Sequence, residues 1–257
     1  SHSQFRIGYA YWERGQIEAA ITVTKKSIRQ SEEGGYLVPP IVSRTELAAV
    51  YGSLGQIDRG LELAHQALTI AREQVPLYQP FVLGTLAQLQ LANDQIDAAQ
   101  EALELGGRDP NRDAWPVYYV PVRVADGRLA LKLGDYERAL AVADEMLADL
   151  RQFGMRSEIP GTLDVLAQAL LGLGQAEAAR DRWWEARAEA EAIGSRRMLW
   201  PILFALSQLE PDPVAAQDLR RQAQQTIDYI ADHIGDADLR ASFLATPQVQ
   251  AVLELQS

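Results

Sequence analysis

The chain has 257 residues, 47% of them apolar, and a formal net charge of −11. So acidic a composition argues against nonspecific binding to nucleic acid or anionic lipid, both of which need a basic surface. With no cysteine, disulfides, thiol catalysis and cysteine-ligated metal are excluded.

Alanine-rich composition and little apolar alternation predict an all-helical chain. The sequence opens Ser1-His2-Ser3 and is already inside a repeat at Phe5, as expected of a piece excised from a longer protein. A first unit runs to about residue 35, where Gly34-Gly35 terminates a helix. The second, over about 36–75, shows the plan most clearly. Its first helix is predicted from Pro40 to about Leu54, because proline suits the first helical turn, where its missing N–H costs nothing. Gly55 ends that helix as a left-handed cap. A second helix follows, with Ile57, Leu61, Ala64 and Leu68 at helical spacing. Units at about 76–108, 115–153 and 156–194 repeat the plan, with Pro80, Pro121 and Pro160 opening their first helices. Pro201 is assigned the same place in a sixth unit starting near 198, whose turn is marked by Pro211 and Pro213. Residues 1–209 thus form the regular repeats, and 210–257 an irregular last repeat and a capping segment.

Three columns define the period. Gly15, Gly55, Gly134 and Gly174 stand 40, 79 and 40 residues apart, and Asp94 fills the missing place. Seven residues before each lies Gly8, Ala48, Ala87, Gly127 or Ala167; five after each lies Ala20, Gly60, Ala99, Ala139 or Ala179. A fixed period of this length means stacked helical hairpins. The small columns mark close helix contacts that larger side chains would overpack.

These residues resemble the tetratricopeptide repeat. Ile7-Gly8, Tyr11, Gly15 and Ala20 occupy its Leu-Gly, Tyr, Gly and Ala columns, and Leu47-Ala48, Tyr51 and Gly55 do so again, with Gly60 in the Ala place. Ala130 and Leu170 replace the usual Tyr, and the third unit departs most, with Gln90 and Asp94. The forty-residue period is longer than usual for the family. It resembles the repeats of the maltose-regulon activator and related large signal-transduction ATPases, and the tail from Ile230 to Leu253 is similar to the extreme C-terminus of multidomain bacterial regulators and cyclases that carry a nucleotide-switch ATPase followed by such repeats. The resemblance implies an all-α, right-handed superhelical solenoid of about six hairpins with a C-terminal cap. Its first helices would line a concave groove.

No catalytic constellation stands out. His2, His65 and His233 share no spacing, and the loop Gly106-Gly107-Arg108-Asp109-Pro110 lacks a phosphate-loop pattern. Neither catalysis, nor a cofactor, nor a metal is expected. The groove columns carried over from the family select Thr45 and Ala49, then Phe81, Gly84 and Gln88, then Val124 and Arg128, then Asp164 and Gln168. Arg44 and Arg123 lie near them. Tyr36, Tyr78, Trp115, Tyr118, Tyr119, Arg156 and Trp200 sit in or beside the linkers that precede first helices. Arg44, Tyr78, Phe81, Gln88, Tyr118, Arg123, Arg128, Arg156, Gln168 and Trp200 are accordingly the candidate binding residues. Arginine forks and aromatic rings suit a carboxylate, phosphate or sugar. The same residues would also serve structurally, the aromatics stapling one hairpin to the next and the arginines pairing with the abundant acids. Trp183 falls in a packing column.

The expected function is that of a sensor or ligand-binding module, the C-terminal repeat domain of a larger bacterial signalling ATPase or transcription regulator. Its partners would be a small-molecule inducer or a peptide in the groove, and the N-terminal ATPase or effector domains of the same protein. The alternative is a protein-interaction scaffold that binds a peptide or self-associates. No nucleic acid or membrane is expected as partner, and a cytoplasmic location follows from the lack of targeting signals.

Overall fold

A computed structural model describes residues 2–107 and 116–254. Among the described residues there are fourteen α-helices and no strand. They form six antiparallel hairpins in chain order: α1 (His2–Glu13) with α2 (Ile17–Glu33), α3 (Val38–Ser53) with α4 (Ile57–Gln74), and α5 (Gln79–Ala92) with α6 (Ile96–Gly107). Then come α7 (Val120–Leu133) with α8 (Tyr136–Gln152), α9 (Ile159–Gly172) with α10 (Ala176–Ile193), and α11 (Arg196–Leu209) with α12 (Pro213–Asp232). Two short helices, α13 (Ala237–Leu244) and α14 (Pro247–Leu253), close the chain.

The turn column has a conformational cause. Gly15, Gly55, Asp94, Gly134 and Gly174 all have positive φ, between 57° and 77°. In each of the last four turns, the N–H of the following residue reaches back five residues: Gln56 to Tyr51, Gln95 to Gln90, Asp135 to Ala130 and Gln175 to Leu170, each at 2.9 Å. This is the Schellman geometry, which satisfies carbonyls a helix end would leave bare. A second column ends the second helices: Gly35, Gly154 and Gly194 also have positive φ, 68° to 71°. Between the second and third hairpins this glycine is missing. Val75 there takes φ −142°, and a 3-10 turn over Pro76–Tyr78 makes the link instead.

A methyl group added to Gly134 would meet nothing within 4 Å. The expected cost of Gly134→Ala is therefore the left-handed backbone alone, about 1–2 kcal/mol. Gly134→Asn should cost less, because its short polar side chain tolerates that region, as Asp94 does in the third hairpin. Urea unfolding midpoints of the two variants check the order.

The small columns hold the hairpins together. A Cβ on Gly60 would lie 2.9 Å from the Ala48 carbonyl oxygen, and one on Gly8 would lie 2.3 Å from Thr24 Oγ1. Ala20, Ala48, Ala87, Ala99, Ala139, Ala167 and Ala179 are all fully buried. In the first two hairpins the helices thus approach as closely as the columns predict, and the column alanines of the later ones are buried.

The chain divides into two compact units. One comprises Ser1–Trp12 and Ile17–Leu129; the other comprises Glu13–Gln16 and Ala130–Ser257. In the first, α2 to α6 pack in sequence around a core that includes Ile41, Leu68, Val82, Leu83, Leu86 and Leu103. Two polar links cross it: Ser27 Oγ to Ser43 Oγ at 3.0 Å, and Trp12 Nε1 to Ser53 Oγ at 3.1 Å. In the second unit, α8 to α12 pack in sequence over Leu150, Leu163, Ile202, Leu203, Leu206 and Ile227. The α14 helix packs on α12 through a segment whose buried residues are Val249 and Val252, as a solenoid's last apolar face requires.

Pro40, Pro80, Pro121 and Pro160 all lie in the first turn of their helices. Pro201 does not. The α11 helix starts at Arg196, capped by Ser195, whose Oγ accepts from the Met198 N–H at 3.3 Å, and Pro201 lies inside the helix. The serine cap, rather than the proline, sets this start, so the sixth hairpin begins slightly before its predicted boundary.

Candidate functional site

Of the candidate residues of the first unit, all but Arg44 of α3 gather on α5 and α7 and the turns that precede them. Gly84 of α5 makes this possible. A Cβ there would lie 2.3 Å from both the Pro121 carbonyl carbon and the Val122 nitrogen, so the two first helices meet backbone to backbone. Gly84 is buried at this contact; it holds helices together instead of lining a groove. One turn further along α5, Gln88 is half-buried and bridges the same helices. Its Nε2 donates to the Pro121 carbonyl at 3.3 Å, and its Oε1 accepts from Arg128 Nη1 at 2.8 Å. Arg123 and Val124 lie half-buried on α7 beside this bridge. The Gln88 amide thus contributes one contact that orients the Arg128 guanidinium.

At the start of the two helices a second pair crosses. The rings of Tyr78 and Tyr118 lie 4.8 Å apart at 59°, and the Tyr118 hydroxyl donates to the Tyr78 hydroxyl at 3.4 Å. Partial burial, and then the bond to Tyr118 and its charge, push the Tyr78 phenol well above its ordinary range. Tyr78 therefore stays neutral, and the two rings offer hydroxyl groups and aromatic surface. Phe81, half-buried, packs against the core of the unit just behind.

Other candidates are engaged elsewhere. The Arg44 guanidinium pairs with Glu32 of α2 and donates to the Pro40 carbonyl at 3.4 Å. Thr45 is buried, and its hydroxyl donates to the Ile41 carbonyl at 2.8 Å. In the second unit, exposed Arg156 reaches Glu189 of the second helix α10 at 2.9 Å, away from the first-helix faces. Trp200 lies in the core, 8% exposed, so its ring packs and is not presented to a ligand. The Arg44 and Arg156 guanidinium groups thus pair with acids of second helices, and the Trp200 ring lies in the core. Trp115 lies outside the described residues.

Gln168 is exposed on α9 and donates to Asp164 Oδ2 at 2.8 Å, while Asp164 Oδ1 accepts from the buried Trp183 indole at 2.8 Å. That orders a carboxylate and an amide on the first-helix face of the second unit. Trp183 is core, as its column predicts. Among the described residues, no cluster of three or more His, Asp or Glu side chains is placed to hold a metal ion. None of the helices among them is long and apolar enough to cross a membrane.

One residue was missed. Glu46 of α3 retains partial exposure, but its Oε2 is enclosed and has no hydrogen-bond partner. Burial pushes its carboxyl well above the usual carboxylate range. The family columns do not mark this place. The available signal was an acid interrupting the small and apolar run Leu47-Ala48-Ala49-Val50 on its N-terminal side.

Residues 1–33 and 41–75 each match a model of the tetratricopeptide repeat. No curated protein matches the chain. Among solved structures, aspartyl phosphate phosphatase F from Bacillus subtilis is similar over 99% of this chain and 70% of its own, at 15% identity and a TM-score of 0.60. The TPR2AB domain of yeast Sti1, in complex with pHSP90, aligns over 97% of this chain and 83% of its own, at 17% identity and a TM-score of 0.33. At the level of fold the chain is an all-α array of tetratricopeptide-like hairpins, its first two matched as repeats by sequence.

Proposed function

We propose that the chain is a recognition module that binds a peptide or protein partner on the first-helix face of its first unit, and that it acts by binding and not by catalysis. The observation that carries this is the α5–α7 bridge. There a half-buried arginine is held by Gln88 beside a hydrogen-bonded tyrosine pair. Pre-set polar groups next to aromatic surface lower the ordering cost of binding, and Arg and Tyr are the side chains that dominate interface energetics. Within this reading, the finer assignment is the C-terminal sensor module of a larger bacterial signalling ATPase or transcription regulator, with a cytoplasmic location and a small inducer or effector domain as partner. It is supported by the forty-residue period and by the helical tail from Ile230 to Leu253. Such a sensor works only if its partner binds two states with different affinity.

Site-specific photo-crosslinking tests the face. A benzophenone amino acid replaces Val124, one turn before Arg128, or exposed His65 on the second helix α4. With soluble extract of the source organism, position 124 is expected to give a discrete protein adduct that is lost when Gln88→Ala and Arg128→Ala are combined. Adducts from position 65 alone, or none from 124, overturn the reading.

A further inference from the structure

We propose that Glu46 is a binding site for a cationic group, an ammonium or guanidinium, presented to the α3 face of the first unit. The enclosed Oε2 of Glu46 has no partner, and a buried acceptor without one carries a desolvation penalty that a donor would relieve. The site is reachable. Three and seven residues on, Ala49 is half-buried and Ser53 exposed, so one helical face runs from Glu46 toward solvent. On the other side, Ser43 and Val50 are fully buried, Ser43 against Ser27 of α2. Glu46 therefore stands at the rim between core and open face.

Among the described residues of α2 to α5, none offers Glu46 a cation. The Arg44 guanidinium is taken by Glu32, and Arg59 lies over the Tyr51 ring at 4.0 Å. Every charged residue of α2 and α4 is exposed, and α5 carries none. The net charge of −11 adds a long-range attraction for a basic partner. Burial disfavours the Glu46 carboxylate and raises its pKa, so below that value the unbound side chain carries a proton. A bound cation favours the ionised form, so binding releases a proton and strengthens as pH rises toward the raised pKa. This deepens the recognition-module reading by naming a chemistry for part of the partner, and it does not depend on Gln88 or Arg128.

The test uses the whole chain, with the Glu46 side-chain carboxyl followed by carbon NMR and assigned by its loss in Glu46→Gln. The probes are N-acetyl-lysine amide, N-acetyl-arginine amide, and a Gly/Ser pentapeptide with either residue at its centre. At least one probe should move the Glu46 resonance saturably and release a proton. Glu46→Gln, which mimics the neutral empty state, should weaken binding about tenfold or more. Glu62→Gln, at an exposed acid of α4, should bind as the unaltered chain does. Tighter binding of the pentapeptides assigns the cation to a protein partner; equal binding assigns it to a small amine. A Glu46 resonance unmoved by all four probes, or equal binding by Glu46→Gln, overturns the proposal. The crosslinking test at position 124 can succeed or fail independently, so the two readings are separable.

Discussion

Replacing Gly84 with alanine is expected to destabilise the first unit by about 3 kcal/mol, the upper part of the usual range for overpacking. The added methyl would lie 2.3 Å from two backbone atoms of α7. No rotamer change relieves a clash with backbone, so α5 and α7 must part by about 1 Å to restore ordinary contact. That movement also stretches both hydrogen bonds of Gln88, to the Pro121 carbonyl and to Arg128. The effect should therefore reach the candidate site as well as stability. Gly161→Ala provides the control. Gly161 lies in the first turn of α9, and a Cβ there meets only Met198 Cε, at 3.6 Å. Alanine at that place should be neutral or stabilising by up to about 1 kcal/mol, through the lower entropy of the unfolded chain. Thermal and urea unfolding of both variants, with amide exchange across α5 and α7, measure the difference. Equal stability of the two variants would mean that α5 and α7 are not held backbone to backbone.

Gly84 also shows where sequence reasoning reached and where it stopped. The period, the turn glycines and the small columns were legible because each answers one local demand: a left-handed φ, or two backbones in contact. Even Asp94, the exception, kept the demand and changed the residue. The glycines at 154 and 194 meet the same demand at the other turns but were not read as a column, because Val75 interrupts their spacing. The groove columns were less legible. They state which way a Cβ points on an average hairpin, and the particular contact decides what the side chain then does. At Gly84 the next helix fills that direction. At Arg44 and Arg156 long side chains turn to acids on neighbouring helices. Trp200 was misplaced because Pro201 was taken as a helix start, when Ser195 had already begun the helix. Glu46 was only faintly legible, as an acid beside an apolar run, because its meaning lies in an absence: a buried carboxyl oxygen without a donor.

Within the second unit the largest loss is expected from Glu13. Its carboxylate is 6% exposed and is held by Arg197 and Ser195, with Arg197 Nε donating at 2.8 Å and the Ser195 hydroxyl donating as well. The adjoining turn is tightly seated: a Cβ on Gly15 would lie 2.7 Å from Ile230, and the Arg196 guanidinium covers the Tyr229 ring at 4.0 Å. Arg197→Ala removes the ion-pair partner of the buried Glu13 carboxylate and should cost about 3–5 kcal/mol; Glu13→Ala, which loses this pair and the Ser195 bond together, should cost about as much. Ser195→Ala should cost less, about 1–2 kcal/mol, although it removes both the α11 cap and one bond to Glu13. The informative variant is the pair Glu13→Met with Arg197→Met. If the singles are costly because of a stranded charge, replacing both charges with apolar groups of similar length should restore most of the loss. A double-mutant cycle on unfolding free energies measures this directly. A double variant as unstable as the sum of the singles would show that the two residues act independently, and that packing around the Glu13–Gln16 turn, not the ion pair, holds it in place.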